Sequence, residues 1–263
     1  RGERMVNDQL AAQQRAFFRE IPFAVTSHCD EYGQPWAGLI TGEPGFLQID
    51  DAGRQVALDW RQASNPTRID LMPGGALGLL GIDFTTRRRS RLDGTMARRE
   101  EQQWQLRIDG GYGHCPKYIE KRPSSASQFT GPCRMAEDSA LSAGTRRIIE
   151  DADTLFIATT SGPNLDDKST WNTAWGTDIT HRAGDTGFIE LDGNRLLVED
   201  YPGSNMATPL ENIRQYPYCG LLFIDFDSGE LLQLAGIAMV EQDGDGRTLA
   251  IDLLKTRYWR KPH

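Results

Sequence analysis

Three segments of this 263-residue chain carry residues whose types and spacing suit anion chemistry. The run RRRSR (87–91) places four arginines just after the apolar segment ending at Phe84. In an extended strand Arg87, Arg89 and Arg91 share one face and Arg88 points the other way. Arginine's planar fork matches a phosphate or carboxylate. The run therefore reads either as an anion clamp or as a solvated hairpin tip. The segment DITHRAGDTGF (178–188) puts His181 and Arg182 ahead of a glycine-containing turn, where a cation and backbone N–H groups together hold anions. DYPGSNM (200–206) offers Ser204 and Asn205 at the approach to a short helix, as helix cap or as anion donors.

Other clusters read more plainly as structure. His114 and Cys115 are adjacent in GYGHCPKYI, and neighbours on a strand face opposite ways, so a Cys–His nucleophile is disfavoured. EQDGDGRTLAID (241–252) matches the acidic spacing of a calcium loop, but strand-like flanks make it a hairpin tip. The chain contains no G-x-S-x-G elbow and no phosphate-binding G-x-x-x-x-G-K-[ST] loop. Its four cysteines are scattered, without a C-x-x-C pair, and read as reduced thiols of a cytoplasmic protein.

The elements that position these residues come from a duplication. GLLGIDFTTRRRSRLDG (78–94) aligns without a gap on GLLFIDFDSGELLQLAG (220–236), with 8 of 17 positions identical. The same offset of 142 carries PGFLQID (44–50) onto TGFIELD (186–192). A shared offset across separated blocks is the signature of a repeated unit, here too long for a solenoid repeat. Both copies are rich in short β-branched and aromatic runs separated by Gly, Asp and Asn turns, with no strand–helix–strand rhythm. The reading is mainly β: two small antiparallel barrels in tandem, at residues 1–121 and 138–263, with a Ser- and Pro-rich linker at 122–137. Helices are expected at 7–19, capped by Asn7 with Leu10, Phe17 and Phe18 inward, at 115–122, at 138–151 and at 209–216.

Charge narrows the partners. The net charge of −8 is uneven: residues 1–131 hold 17 Lys and Arg against 16 Asp and Glu, and residues 132–263 hold 12 against 21. The acidic half argues against nucleic acid and anionic membrane surfaces, whereas one small phosphate needs only a cation or two. No 18-residue apolar run is present, so no helical membrane span is expected. Open sheet edges make a homodimer a natural way to cover them.

Taken together, GEPGFLQ, GLLGIDFTTRRRSRLDG, GYGHCPKYI, DITHRAGDTGF, LLVEDYPGSNM and GLLFIDFDSGELLQLAG resemble the pyridoxamine 5'-phosphate oxidase-related, flavin-nucleotide-binding proteins. The resemblance implies split β-barrels with FMN in a cleft between two of them, here two halves of one chain acting as a pseudo-dimer. It implies that Thr180, His181 and Arg182, with Ser204 and Asn205, hold the phosphate. It puts Glu199, Asp200 and Tyr201 near the flavin or its ribityl chain, and turns Arg87, Arg88 and Arg89 toward the cofactor from the other half. The partner is then a small redox substrate or electron donor. Three departures separate the chain from the vitamin-oxidising members: Ala183-Gly184 in place of paired glycines, Met206 in place of a basic residue, and the insertion 161–176 bearing Trp171 and Trp175. A barrel that has lost flavin and binds a protein partner or another ligand, or one that binds haem through His28, His114, His181 or His263, is the alternative.

Overall fold

The computed structural model describes residues 8–113, 119–123, 129, 134–162, 176–199, 207–243 and 246–260. The first unit runs α1 (Ala12–Glu20), β1 (Phe23–Cys29), β2 (Pro35–Gly42), β3 (Leu47–Ile49), β4 (Gln55–Asp59), β5 (Ala63–Ser64), β6 (Ala76–Asp83), β7 (Arg88–Arg99) and β8 (Gln103–Gly113). The second runs β9 (Arg134–Asp138), α2 (Ala143–Glu150), β10 (Thr154–Thr160), β11 (Thr177–Ala183), β12 (Ile189–Asp192), β13 (Arg195–Glu199), α3 (Ala207–Gln215), β14 (Tyr218–Ile224), β15 (Leu231–Asp243) and β16 (Gly246–Arg260). The mainly β class with two tandem split barrels is the architecture present. Among the described strands every pairing is antiparallel.

The duplication is visible strand by strand. The first sheet has the order β3-β4-β8-β7-β6-β1-β2-β5. The second reads β12-β13-β16-β15-β14-β10-β11, which is the same order without β5, and β9 adds beside β16. Even the irregularities repeat. β7 bulges between Asp93 and Gly94, and β15 bulges between Ala235 and Gly236. A Cβ on Gly94 would lie 2.7 Å from the Arg107 carbonyl oxygen, and one on Gly236 would lie 2.8 Å from that of Asp252. The identical glycines are thus retained where the bent strand presses on its neighbour's backbone. Gly45 and Gly187, at φ +98° and +90°, make the same left-handed turn ahead of β3 and β12.

Each unit has its own core. In the first, Phe18, Leu79, Leu92, Trp104 and their neighbours close around α1; in the second, Ile157, Leu221, Phe223 and Ile251 do so beside α2 and α3. A third cluster joins Phe23, Leu39, Leu80, Ile82 and Phe84 of the first unit to Phe156, Ile179, Leu222, Ile224 and Trp259 of the second. This seam packs like a protein interior, so the units form one body. It is reciprocal: β2 packs on β14, and its counterpart β11 packs on β6. Phe84 and its copy Phe226 meet edge to face at 5.1 Å, as residues beside a pseudo-twofold axis do.

Local departures from the sequence expectation have physical causes. The first helix starts at Ala12, not near residue 7, because the Leu10 N–H is taken by the Gly53 carbonyl (2.9 Å) and Ala11 is extended. Leu10, Phe17 and Phe18 are buried as their pattern requires, while Asn7 lies outside the described residues. The third expected helix begins at Ala143, with the Ser142 hydroxyl accepting from the Thr145 N–H, and α3 spans Ala207–Gln215. Of the helix expected at 115–122, residues 115–118 lie outside the described residues and 119–122 are not helical. The last residues of the Ser- and Pro-rich stretch form β9, hydrogen-bonded to β16. Among the described residues no helix is long and apolar enough to cross a membrane.

Candidate functional site

His181 and Arg182 do not sit in a turn. They are strand residues, 6% and 7% exposed, paired with Phe156 and Leu155 of β10, and the turn starts only at Gly184. β11 carries them into the seam because its neighbour β10 is buried along its whole length. The His181 ring faces Phe156 at 5.4 Å and Phe84 at 6.3 Å between centroids. Its Nδ1 lies 3.1 Å from Arg89 Nη1. A guanidinium only donates, so Nδ1 accepts and the imidazole proton resides on Nε2. That Nε2 is buried and has no hydrogen-bond partner among the described residues.

The surroundings keep this imidazole neutral. Burial first, and then the charges of Arg89, Arg122 and Arg182, hold its pKa well below the usual histidine value. Arg122 donates to Asp153 at 2.5 Å and lies over Phe226 at 4.3 Å and Phe84 at 5.2 Å. A cavity of about 520 Å³ opens beside it, walled by Arg122, Ile148, Phe226 and the Asp225–Glu230 turn. There Tyr258 donates to Glu230 at 2.5 Å, and burial with that hydrogen bond pushes its phenol up to about 12. His181 is thus a neutral N–H donor among three arginines and buried phenylalanines, whereas the cavity beside Arg122 is acidic, with Asp151, Asp153, Asp225, Asp227 and Glu230 against Arg122 and Arg147. An orphaned buried donor costs about 1–3 kcal/mol until a partner arrives, and the three guanidinium groups around His181 favour an anion there.

The other expected site residues scatter. Thr180 donates from Oγ1 to Asp178 at 3.2 Å, beside the cluster. Of the arginine run Arg89 and Arg91 reach the second unit. Arg87 is exposed in the β6–β7 turn at φ +57°, and Arg88 lies over Phe17 of α1 at 5.2 Å, on the other face of its strand. Glu199 is exposed at the end of β13, with four strands between it and β11 in the sheet order. Asp200, Tyr201, Ser204 and Asn205 lie outside the described residues, as do 163–175 and His114.

Two residues were not among the site residues expected from the sequence. Arg122 sits in what reads as a linker, and nothing local marks it. Arg91 was within reach of sequence reasoning, since alternation puts it on the Arg89 face. It forks onto Asp93 at 2.8 and 2.5 Å, donates to the Thr177 carbonyl at 3.1 Å and pairs with Asp178. It is a buried clasp between the units.

The pseudo-symmetric position holds no such cluster. In the repeat Arg89 corresponds to Leu231. Leu39 pairs with Val25 as His181 pairs with Phe156, and Val25 and Phe156 in turn face the repeat-related Leu80 and Leu222. The counterparts of Arg89, His181 and Arg182 are therefore Leu231, Leu39 and Ile40, all at most 1% exposed. One end of the pseudo-dimer gathers arginines around a histidine, and its twin is closed with aliphatic side chains.

No protein-family model matches the chain, and no curated protein does. Among solved structures it is similar to a pyridoxamine 5'-phosphate oxidase candidate from Lactobacillus delbrueckii, with 14% identity and a TM-score of 0.33 over 45% of this chain and 94% of that one. It is similar to a FAD-binding protein from Mesorhizobium loti, with 8% identity and a TM-score of 0.30 over 48% and 99% of the two chains. It is also similar to the haem storage protein HutZ of Vibrio cholerae, with 10% identity and a TM-score of 0.27 over 47% and 92%.

Proposed function

We propose that this chain is an FMN-binding flavoprotein, an oxidoreductase related to the pyridoxamine 5'-phosphate oxidases but distinct from that enzyme. The observation that carries the reading is the meeting of Arg89 and His181. His181 comes from a motif that the sequence resemblance assigns to the phosphate and Arg89 from the run that it turns toward the cofactor; they lie 92 residues apart and stand 3.1 Å from each other across the seam. The residues present fit a phosphate group: a neutral N–H on His181, three guanidinium groups around it, and Thr180 nearby. Phe84, Phe156 and Phe226 supply an apolar wall of the kind a flat ring packs on.

In this reading Arg89, Arg122 and Arg182 neutralise the phosphate, and His181 donates to one of its oxygens. The aromatic wall excludes water. Bound FMN supplies electron and hydride transfer with a small redox substrate or electron donor, and the protein sets orientation and potential. The test is the visible spectrum of freshly purified protein, followed by FMN titration of the wild type and Arg89→Ala. The expected result is flavin absorbance near about 450 nm and a loss of at least about tenfold in affinity in the variant. Colourless protein that takes up no added FMN refutes the reading.

One observation favours a second reading. His28 and His181 are both buried neutral imidazoles with one ring nitrogen lacking a partner, as a haem ligand requires. A Soret band on adding haemin, lost in His181→Ala or His28→Ala, would support it over the flavin.

A further inference from the structure

A second cavity, of about 630 Å³, lies between the β1–β2 turn, the loop over residues 68–76, and Thr177 and Arg257 of the second unit. It shares no lining residue with the His181 cluster or with the cavity beside Arg122. The volume is in the range that encloses a small organic ligand.

Four features of its wall point to one kind of occupant. His28 lines it and is 6% exposed, yet its Nδ1 has no hydrogen-bond partner among the described residues. Burial pushes this imidazole down to about 4, so at neutral pH it is an uncharged donor and acceptor. Tyr32 and Met72 also line the cavity, at 84% and 66% exposure the two most exposed large apolar side chains among the described residues. Arg68 reaches the wall from a left-handed backbone, φ +53°, a conformation costly for arginine. It lies over Trp259 at 5.5 Å and has no carboxylate in ion-pair range among the described residues, whereas Arg257 is held by Glu137 at 2.9 Å.

The charges disfavour a dianion, and of the lining carboxylates Asp70 is paired with Arg99 at 2.6 Å. Asp30, Glu31 and Asp70 line the same space, so two arginines face three carboxylates. A dianion such as a phosphate monoester would be repelled, while one negative charge is matched by Arg68. Asp30 is committed to the Trp36 indole (2.9 Å) and to the N–H groups of Tyr32 and Gln34 (3.0 Å each).

We propose that this cavity binds a small aromatic monocarboxylate, its carboxylate on Arg68, its ring between Tyr32 and Met72, and a polar substituent on His28. The test uses the full chain and isothermal titration calorimetry, with 4-hydroxybenzoate, benzyl alcohol and benzyl phosphate as probes. 4-Hydroxybenzoate is expected to bind one per chain and at least about tenfold more tightly than either other probe. Arg68→Asn, a residue that tolerates the left-handed backbone, is expected to weaken it by about tenfold or more without moving the melting temperature. Arg68→Lys is expected to recover part of that loss. No saturable binding up to about 10 mM, a preference for benzyl phosphate, or indifference to Arg68→Asn overturns the proposal. None of these outcomes depends on whether the chain carries flavin.

Discussion

Gly220 and Gly78 occupy the same place in the two copies, yet alanine at each should have different consequences. A Cβ on Gly220 would stand 2.4 Å from the Pro35 carbonyl oxygen, 2.7 Å from Trp36 Cα and 2.9 Å from the Ala37 nitrogen. All three are backbone atoms of β2, a strand buried on both faces, so relief requires prising the units apart. Overpacking of this kind costs typically about 1–3 kcal/mol, and with three backbone contacts we expect about 3 kcal/mol for Gly220→Ala. On Gly78 the only close contact is Ser27 Oγ at 2.4 Å, followed by Asp93 Oδ1 at 3.4 Å and Ile179 Cγ2 at 3.5 Å. The Ser27 hydroxyl has no hydrogen-bond partner to lose, so it can change rotamer at little cost. Replacing a strand glycine also recovers about 0.5–1 kcal/mol, leaving Gly78→Ala within about 1 kcal/mol of the wild type. At roughly 2–4 °C per kcal/mol, Gly220→Ala should lower the melting temperature by about 6–12 °C and Gly78→Ala by no more than about 4 °C. Scanning calorimetry with urea titration at one pH measures both. Equal losses, or a neutral Gly220→Ala, would refute the description of the seam.

Three further outcomes follow from geometry already given. Arg91→Met strands Asp178, 3% exposed, without its guanidinium, and should cost about 3–5 kcal/mol in urea unfolding; adding Asp178→Asn should return a measurable part. Burial holds the native His28 pKa down to about 4 against about 6.5 for a solvated histidine, so as pH falls through that window the unfolded chain takes up a proton that the native chain refuses. Stability is therefore lost between about pH 6.5 and 4, by up to about 3 kcal/mol from this residue, and His28→Gln should flatten that part of the urea-derived pH profile. His181 is displaced in the same direction, so His181→Gln should flatten it too. FMN titrated against the full chain should saturate at about one per chain, because the twin of the His181 cluster is Leu39, Ile40 and Leu231; two per chain would contradict that asymmetry.

The repeat was legible because it was fixed by residues with few substitutes. Gly94 and Gly236 sit where a Cβ meets a carbonyl, and Asp83 and Asp225 cap the same turn, accepting from Thr85 and Asp227 N–H groups at 2.9 Å each. Such positions survive divergence and carry the alignment. The strand at 177–183 was harder, since Asp178, His181 and Arg182 read as surface turn residues, and only the facing unit explains their burial. The Arg91–Asp178 pair spans 87 residues and two units, beyond any local pattern. Arg122 lies in a Ser- and Pro-rich stretch, and its role depends on Phe84 and Phe226 arriving from separate sheets. The motifs thus named strands that meet at the seam, while alternation and packing decided that Arg89 faces it and Arg88 does not.

Joining both copies in one chain removes a constraint that binds every homodimer. When two identical subunits meet about a twofold axis, each substitution enters both sides at once, and no gene can write Arg89 on one side and Leu231 on the other. Here Arg91 clasps Asp178 across the axis while its counterpart Gln233 donates to the Ala37 carbonyl at 2.7 Å, a mismatch that symmetry would forbid. Covalent fusion frees the two ends of the seam to carry different side chains, polar at one and aliphatic at the other.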